Sequence, residues 1–244
     1  MPKPNLIIAG CQKSGTTWLH SCLRKSTHIF GSKIKELNFF NSVDFEKNSE
    51  SYLGHFPPTE GAQYYMESTP HYFQLPSGRI DTARNIESYL DDPKIIVIFR
   101  NPVSRYESAY VHHIMKGRIT YRSIIKEFSD ENKMLTLGRY AEVLRYWRTI
   151  FPDLLVLFHD DLDRDPESLV QNVMNYLNLD NDIEPDDLLF RSNDKIIKAD
   201  KLDLNWPRMP KLSNDLRKRL VDYYQDDIEE LETLTGRDLK HWTK

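Results

Sequence analysis

The chain has 244 residues; 39 % are hydrophobic, 11 % aromatic and 29 % charged, and 33 basic against 37 acidic side chains leave a net charge of −4. This length buries a sizeable core and fits a single α/β domain over 1–244, and the aromatic content and apolar runs exclude global disorder. A mildly acidic chain has no charge-driven affinity for nucleic acid, and two cysteines, Cys11 and Cys22, cannot build a disulfide framework, which fits a reducing, cytoplasmic setting.

No apolar run approaches the roughly 20 residues of a membrane-spanning helix. The first run, residues 6–9, is also too short for a signal-peptide core. It reads as a buried strand, as do residues 94–99 and 154–158, all rich in Ile, Val and Leu. Helices are predicted over 16–25, 102–115, 140–150, 166–177 and 213–234, with Ser213 as N-cap of the last. Strands alternating with helices predict an α/β fold with a central, mostly parallel sheet flanked by helices. Residues 41–61 read as a polar surface excursion, and the acidic stretch 178–187 as a loop.

The informative residues follow the first strand: Gly10-Cys11-Gln12-Lys13-Ser14-Gly15-Thr16-Thr17-Trp18-Leu19. Two glycines bracket a small polar loop, and a helix opens behind it. Backbone N–H groups at such a turn converge, and the helix N-terminus adds partial positive charge, so the turn suits a phosphate. Lys13 adds a full charge; Ser14, Thr16 and Thr17 add hydroxyls. Gly10 and Gly15 have the spacing of a Walker A loop, but Thr16 stands where that loop needs lysine. The second strand ends in Arg100, a cation where a nucleotide triphosphatase needs a magnesium-holding acid. The third ends His159-Asp160-Asp161, which leaves such an acid open.

The stretch from Gln12 to Leu19 resembles the 5′-phosphosulfate loop of sulfotransferases that use 3′-phosphoadenylyl sulfate (PAPS). The resemblance implies a P-loop-like sulfotransferase fold. It implies that Gln12, Lys13, Ser14, Gly15, Thr16, Thr17 and Trp18 bind the donor, with Lys13 also stabilising charge on the bridging oxygen. Arg100-Asn101-Pro102 with Ser108 is similar to the family's 3′-phosphate motif. A strand-end arginine offers a bidentate fork, and Ser108 is expected on the same side of the following helix. Lys35-Glu36-Leu37-Asn38-Phe39-Phe40 resembles the Lys-Glu-x-x-Phe-Phe stretch of the heparan-sulfate (glucosaminyl) branch and its bacterial-type relatives. There the glutamate is the proposed general base, a role assigned here to Glu36, with Phe39 and Phe40 expected to desolvate it.

Glu67-Ser68-Thr69-Pro70-His71-Tyr72-Phe73 is similar to a Glu-Lys-Thr-Pro-x-Tyr-Phe segment that lines the acceptor cleft, with Ser68 in the lysine position. His71 is a further candidate for proton transfer or acceptor binding. The basic stretch 195–219 is expected to help hold the nucleotide through the loop 195–211. Taken together, the resemblance implies in-line transfer of a sulfuryl group from PAPS to an acceptor hydroxyl of a sugar or small metabolite. The product nucleotide is 3′,5′-ADP (PAP), and no metal is expected. Two alternatives stay open: a P-loop kinase or nucleotide hydrolase, and a non-catalytic nucleotide-binding protein.

Overall fold

Continuous runs of branched apolar residues form strands when both faces of the sheet are covered. In a computed structural model, which describes residues 1–190, 204 and 206–244, Leu6–Gly10 is such a strand (β1), buried at every position. The other elements in chain order are α1 (Thr16–Leu23), β2 (Ile29–Gly31), α2 (Ser49–Leu53), β3 (Tyr64–Ser68), α3 (Thr82–Tyr89), β4 (Lys94–Phe99), α4 (Pro102–Met115) and β5 (Ile124–Ile125). They continue as α5 (Ala141–Arg148), β6 (Leu155–Phe158), α6 (His159–Arg164), α7 (Pro166–Tyr176), β7 (Lys211–Leu212) and α8 (Asn214–Thr235). The chain divides into two compact units. One is Met1–Phe99 with Arg145–Phe190; the other is Arg100–Leu144 with the described part of Arg191–Lys244.

In the first unit the strands form one parallel sheet in the order β2-β3-β1-β4-β6. β1 is central, with Ile7 opposite Glu67 of β3 and Ile95 of β4. Leu6 and Ile8 point to a face covered by Leu19 and Leu23 of α1 and Val170 and Met174 of α7. On β4, Phe99 joins Phe73, Trp147 and Phe151 in a chain of rings, and Trp147 Nε1 donates to the Gln74 carbonyl at 3.1 Å.

The predicted α/β architecture with its central parallel sheet is what the chain adopts, and the three predicted strands are β1, β4 and β6. Two further strands, β2 and β3, complete the sheet. The 41–61 stretch is not a mere surface excursion. Phe45, Tyr52 and Phe56 within it are buried, and Tyr52 stacks on Phe39 with centroids 3.8 Å apart. Phe40, fully buried, meets Phe39, Phe45, Tyr52, Tyr72 and Tyr89 at 4.9–5.9 Å. The polar residues of that stretch are the outer skin of an aromatic cluster.

In the second unit Asn101 caps α4, accepting from Val103 N at 3.0 Å and Ser104 N at 3.1 Å, with Pro102 as first helical residue. Ser213 caps α8 as predicted, accepting from Leu216 N at 3.2 Å. The buried carboxylate of Asp227 in α8 accepts from Tyr140 N and Ala141 N at 2.7 and 3.2 Å. Residues 195–203 and 205 of the predicted nucleotide loop lie outside the described residues.

Phe40→Ala should lower folding stability by about 3–5 kcal/mol, the usual cost of emptying a buried aromatic site. Urea unfolding would show this as a lower midpoint at unchanged slope, whereas a skin-like role for the segment would leave the midpoint in place.

Candidate active site

The turn between β1 and α1 is set by two glycines. A Cβ on Gly10 would lie 2.6 Å from Phe73 Cβ. Gly15 sits at φ +107°, and a Cβ there would meet Leu162 and His159 at 3.2 and 3.3 Å. Between them the chain turns on two backbone bonds, Cys11 N to Ile98 O at 3.0 Å and Ser14 N to Cys11 O at 3.2 Å. Lys13, half-buried, holds left-handed backbone at φ +67°.

α1 then begins with no side chain capping it; its N-cap is Gly15. The first N–H groups of a helix have no intrahelical partner, so this turn directs unpaired donors and the positive end of the helix dipole into the space above the loop. Ser14 is fully buried, and its Oγ has no hydrogen-bond partner; the same holds for Oε1 of Gln12. A buried hydroxyl without a partner is costly and fits a loop built to be completed by an oxygen-rich anion.

Two side chains are brought to this turn from elsewhere in the unit. Lys35 Nζ donates to Thr17 Oγ1 at 3.0 Å, adding a second ammonium group at the first turn of α1. His71 lies beside the loop, with Nε2 3.5 Å from Gln12 Nε2. Trp18, predicted to touch the donor, points the other way. It is 4 % exposed in the apolar core, donates from Nε1 to the Leu188 carbonyl at 3.3 Å and stacks on Phe190. Only its backbone N–H is available to the turn.

Glu36 stands on the crossing after β2. Its backbone is left-handed at φ +62°, and its N–H donates to the carbonyl of Ser68, the last residue of β3, at 2.9 Å. Asn38 ties the same corner: Nδ2 donates to the Glu36 carbonyl at 2.6 Å, and its N–H reaches Thr69 Oγ1 at 3.4 Å. The Glu36 side chain is exposed. The expected apolar shell around it is absent, because Phe39 and Phe40 turn into the aromatic cluster.

The buried carboxylate of this region is Glu67. It is fully enclosed and accepts from the hydroxyls of Tyr52, Tyr72 and Thr69 at 2.5, 2.6 and 2.8 Å. Burial pushes its pKa up, against the three hydrogen bonds that favour the ionised form. Next to it Ser68 is also fully buried, with Oγ 2.7 Å from His20 Nδ1 of α1. Lys35, Glu67 and His20 were not singled out as site residues. Lys35 and Glu67 lie inside the two stretches quoted above, but no single-residue signal distinguishes them from surface and packing positions.

Arg100 and Ser108 belong to the second unit. Arg100 follows β4 directly, and its carbonyl accepts from Tyr140 OH at 2.9 Å. Ser108 is on the buried side of α4. Asp160 and Asp161 lie in α6, where Asp161 pairs with Arg164. Among the described residues no group of three or more His, Cys, Asp or Glu side chains is arranged to hold a metal ion.

Residues 3–203 match the Sulfotransferase domain family. The chain is 26 % identical to the bifunctional heparan sulfate N-deacetylase/N-sulfotransferase 1 of Xenopus laevis, over 99 % of its own length and 31 % of that protein. It is 30 % identical to human heparan sulfate glucosamine 3-O-sulfotransferase 6, over 72 % of this chain and 52 % of that one. The chain thus spans less than a third of the length of the first of these relatives. A sulfotransferase from Alicyclobacillus acidocaldarius superposes with a TM-score of 0.80 at 24 % identity, covering 100 % of both chains. Retinol dehydratase in complex with androsterone and inactive cofactor PAP superposes at 0.56 and 15 % identity, covering 94 % of this chain and 82 % of that one.

The raised pKa of Glu67 fixes a sign. Between its unfolded and folded values the folded state holds more protons, so this group's contribution to stability falls as pH rises. Glu67→Gln removes the titration and keeps an acceptor oxygen. The stability of wild type minus that of the variant should therefore decline as pH is raised from about 4 to about 8, above the ordinary glutamate range. Urea unfolding across this range tests it, and a difference independent of pH would show that Glu67 is not held with a raised pKa.

Proposed function

The chain belongs to the sulfotransferase domain family, whose chemistry is sulfuryl transfer, and we propose that it takes the sulfuryl group from PAPS and delivers it to a hydroxyl of a carbohydrate or small metabolite. We further propose that the whole of 1–244 serves as one catalytic domain and works in the cytoplasm. The chain has only two cysteines, Cys11 and Cys22, both buried, and so sparse a cysteine content fits a reducing compartment. No described helix is long and apolar enough to cross a membrane.

The observation that carries this proposal is the uncapped start of α1 beside a fully buried, unpartnered Ser14 hydroxyl. Donors preorganised in this way stabilise an anion without reorganising. PAPS, when bound, supplies a sulfuryl group carried on a 5′-phosphate. The backbone N–H groups of Gly15, Thr16, Thr17 and Trp18, with Gln12, Ser14 and Lys13, would hold that phosphate. Lys13 would also stabilise the charge that grows on the bridging oxygen as the in-line displacement proceeds. Lys35 adds positive charge at the same helix end, so the site's electrostatic demand is met by lysine and amide groups. Arg100 and Ser108 are proposed to hold the 3′-phosphate.

Glu36 is the proposed general base. A neutral hydroxyl is a poor nucleophile, and a carboxylate that accepts its proton as the new S–O bond forms lowers the barrier. An exposed carboxylate at a strained, pinned corner is accessible to an acceptor arriving from solvent. His71, beside the loop, is proposed to bind the acceptor or assist its proton transfer. The carbohydrate class of acceptor is supported by the relatives named for heparan sulfate.

Lys13→Ala should weaken PAP binding by about 10–100-fold, the loss of one charge-assisted contact of roughly 1.5–3 kcal/mol. Calorimetry with PAP measures this, and unchanged affinity would refute the loop assignment. Glu36→Gln should leave PAP affinity intact while turnover of a labelled sulfuryl donor falls by roughly 10²–10⁴. Equal turnover in the two proteins would rule out Glu36 as the base. Mg²⁺-dependent ATP or GTP hydrolysis without sulfuryl transfer would instead identify a nucleotide hydrolase.

A further inference from the structure

His20 is a buried, titratable residue of α1 that the proposed chemistry does not use. It is 2 % exposed, and both of its ring nitrogens are engaged. Nε2 lies 3.2 Å from the carbonyl of Ser32, and Nδ1 lies 2.7 Å from the hydroxyl of Ser68. A carbonyl can only accept, so Nε2 carries the proton. Nδ1 is then the acceptor, and Ser68 Oγ–H is the donor. Burial, with Lys35 and Arg24 nearby, lowers the His20 pKa to about 3, so one neutral tautomer persists at ordinary pH.

The two groups that His20 holds bracket the candidate base. Ser32 ends the course of β2, its N–H donating to Met66 O at 3.0 Å and its hydroxyl to Ile34 O at 2.9 Å. Ser68 ends β3, and its carbonyl receives the Glu36 N–H. The chain between Ser32 and Glu36 thus leaves the sheet at one His20 contact and returns at the other. Ser32 and Ser68 are both fully buried, so water cannot replace the ring. Glu36 itself sits in left-handed backbone, a conformation that costs a non-glycine residue energy and persists only when its surroundings enforce it.

We propose that His20 is a positioning residue: through Ser32 and Ser68 it fixes the left-handed corner at Glu36 and so sets where the carboxylate stands. This role rests on Glu36 being the base. His20 touches neither donor nor acceptor and transfers no proton. It acts as a two-ended spacer whose length and donor–acceptor polarity match the gap between two strand ends. Thr69 supports the same corner from the next residue. Its Oγ1 receives the Asn38 N–H and donates to Glu67.

The test combines hydrogen exchange with a double-mutant cycle. His20→Leu should speed exchange of the Glu36 amide at least about tenfold in the ligand-free protein, because the bond to Ser68 loosens. PAP affinity should stay within about twofold of wild type, while turnover falls about tenfold or more at an unchanged KM for the donor. His20→Gln, which also presents an acceptor and a donor, should recover most of that loss. In the Glu36→Gln background the His20→Leu change should cost less than about twofold further, since the residue it acts through is gone.

The same factor lost in both backgrounds, or unchanged exchange at the Glu36 amide, overturns the positioning role while leaving Glu36 as base. Full turnover in Glu36→Gln alone overturns the base, and with it this role. Where His20→Leu does not fold, Ser68→Ala removes one end of the spacer and enters the same cycle with the same expected outcomes.

Discussion

An uncapped helix start at the end of the sheet's central strand is the constraint from which the rest of the site follows. β1 is buried on both faces and paired on both edges, so its end cannot shift. The chain must then reverse into α1 within a few residues, and only glycine fits at Gly10 and at Gly15. With glycine rather than Ser, Thr or Asp as N-cap, no side chain competes for the first amides. A little stability is given up there, about a few tenths of a kcal/mol relative to a good cap, in exchange for donors that stay available to an anion. The buried hydroxyl of Ser14 points to the same trade.

A second layer of buried polar groups lies beneath the candidate base. Glu67 and His20 are enclosed neighbours of the β3 end, and their pKa values move in opposite directions. Desolvation disfavours the charged form of both, so it raises a carboxyl and lowers an imidazole. The stability tied to neutral His20 is complete above its ordinary pKa and is lost as pH falls through that range. The contribution of Glu67 runs the other way, weakening as pH rises above the ordinary glutamate value. The layer is therefore most stable with both groups uncharged. Its partners are hydroxyls and carbonyls, which bond to neutral groups without adding net charge to the interior. Such a layer can hold an exposed carboxylate at a fixed place without the large cost of burying an ion.

The sequence made the central elements legible where one physical signal dominated. Residues 6–9, 94–99 and 154–158 are unbroken apolar runs, and doubly covered parallel strands require that pattern. The turn from Gly10 to Gly15 was legible because glycine spacing and a following helix are local. β3 was not, because Tyr64-Tyr65-Met66-Glu67-Ser68 places its polar residues inward, bonded to Tyr72 nearby and to Tyr52 and His20 from well before it in the chain. The 41–61 stretch misled for the opposite reason. Its charges outnumber its rings, yet Phe45, Tyr52 and Phe56 all turn inward. Trp18 was read as a ligand residue from its place in the motif, while its ring is core. Glu36 was singled out as candidate base through resemblance, and the apolar shell predicted for it from Phe39 and Phe40 is not there, since the left-handed turns at Glu36 and Asn38 separate the carboxylate from the rings.

The departure at Ser68 acquires a physical meaning from its partner. In the stretch that Glu67–Phe73 resembles, a lysine stands at this position, and an ammonium group there would have to share the space with His20. Two cationic-capable groups in a buried pocket, with Lys35 nearby, would repel each other. A serine instead gives the neutral imidazole a hydroxyl donor at 2.7 Å. Serine at 68 and histidine at 20 are thus complementary, and changing either alone leaves a buried polar group unpaired. A positive charge from outside the loop is then brought to the start of α1 by Lys35, which reaches Thr17 from the residue preceding Glu36. Cation and candidate base stand next to each other in the chain. The same buried spacer proposed to fix Glu36 therefore also limits where the Lys35 backbone can go, which joins the candidate anion cradle to the candidate base through a single stretch of main chain.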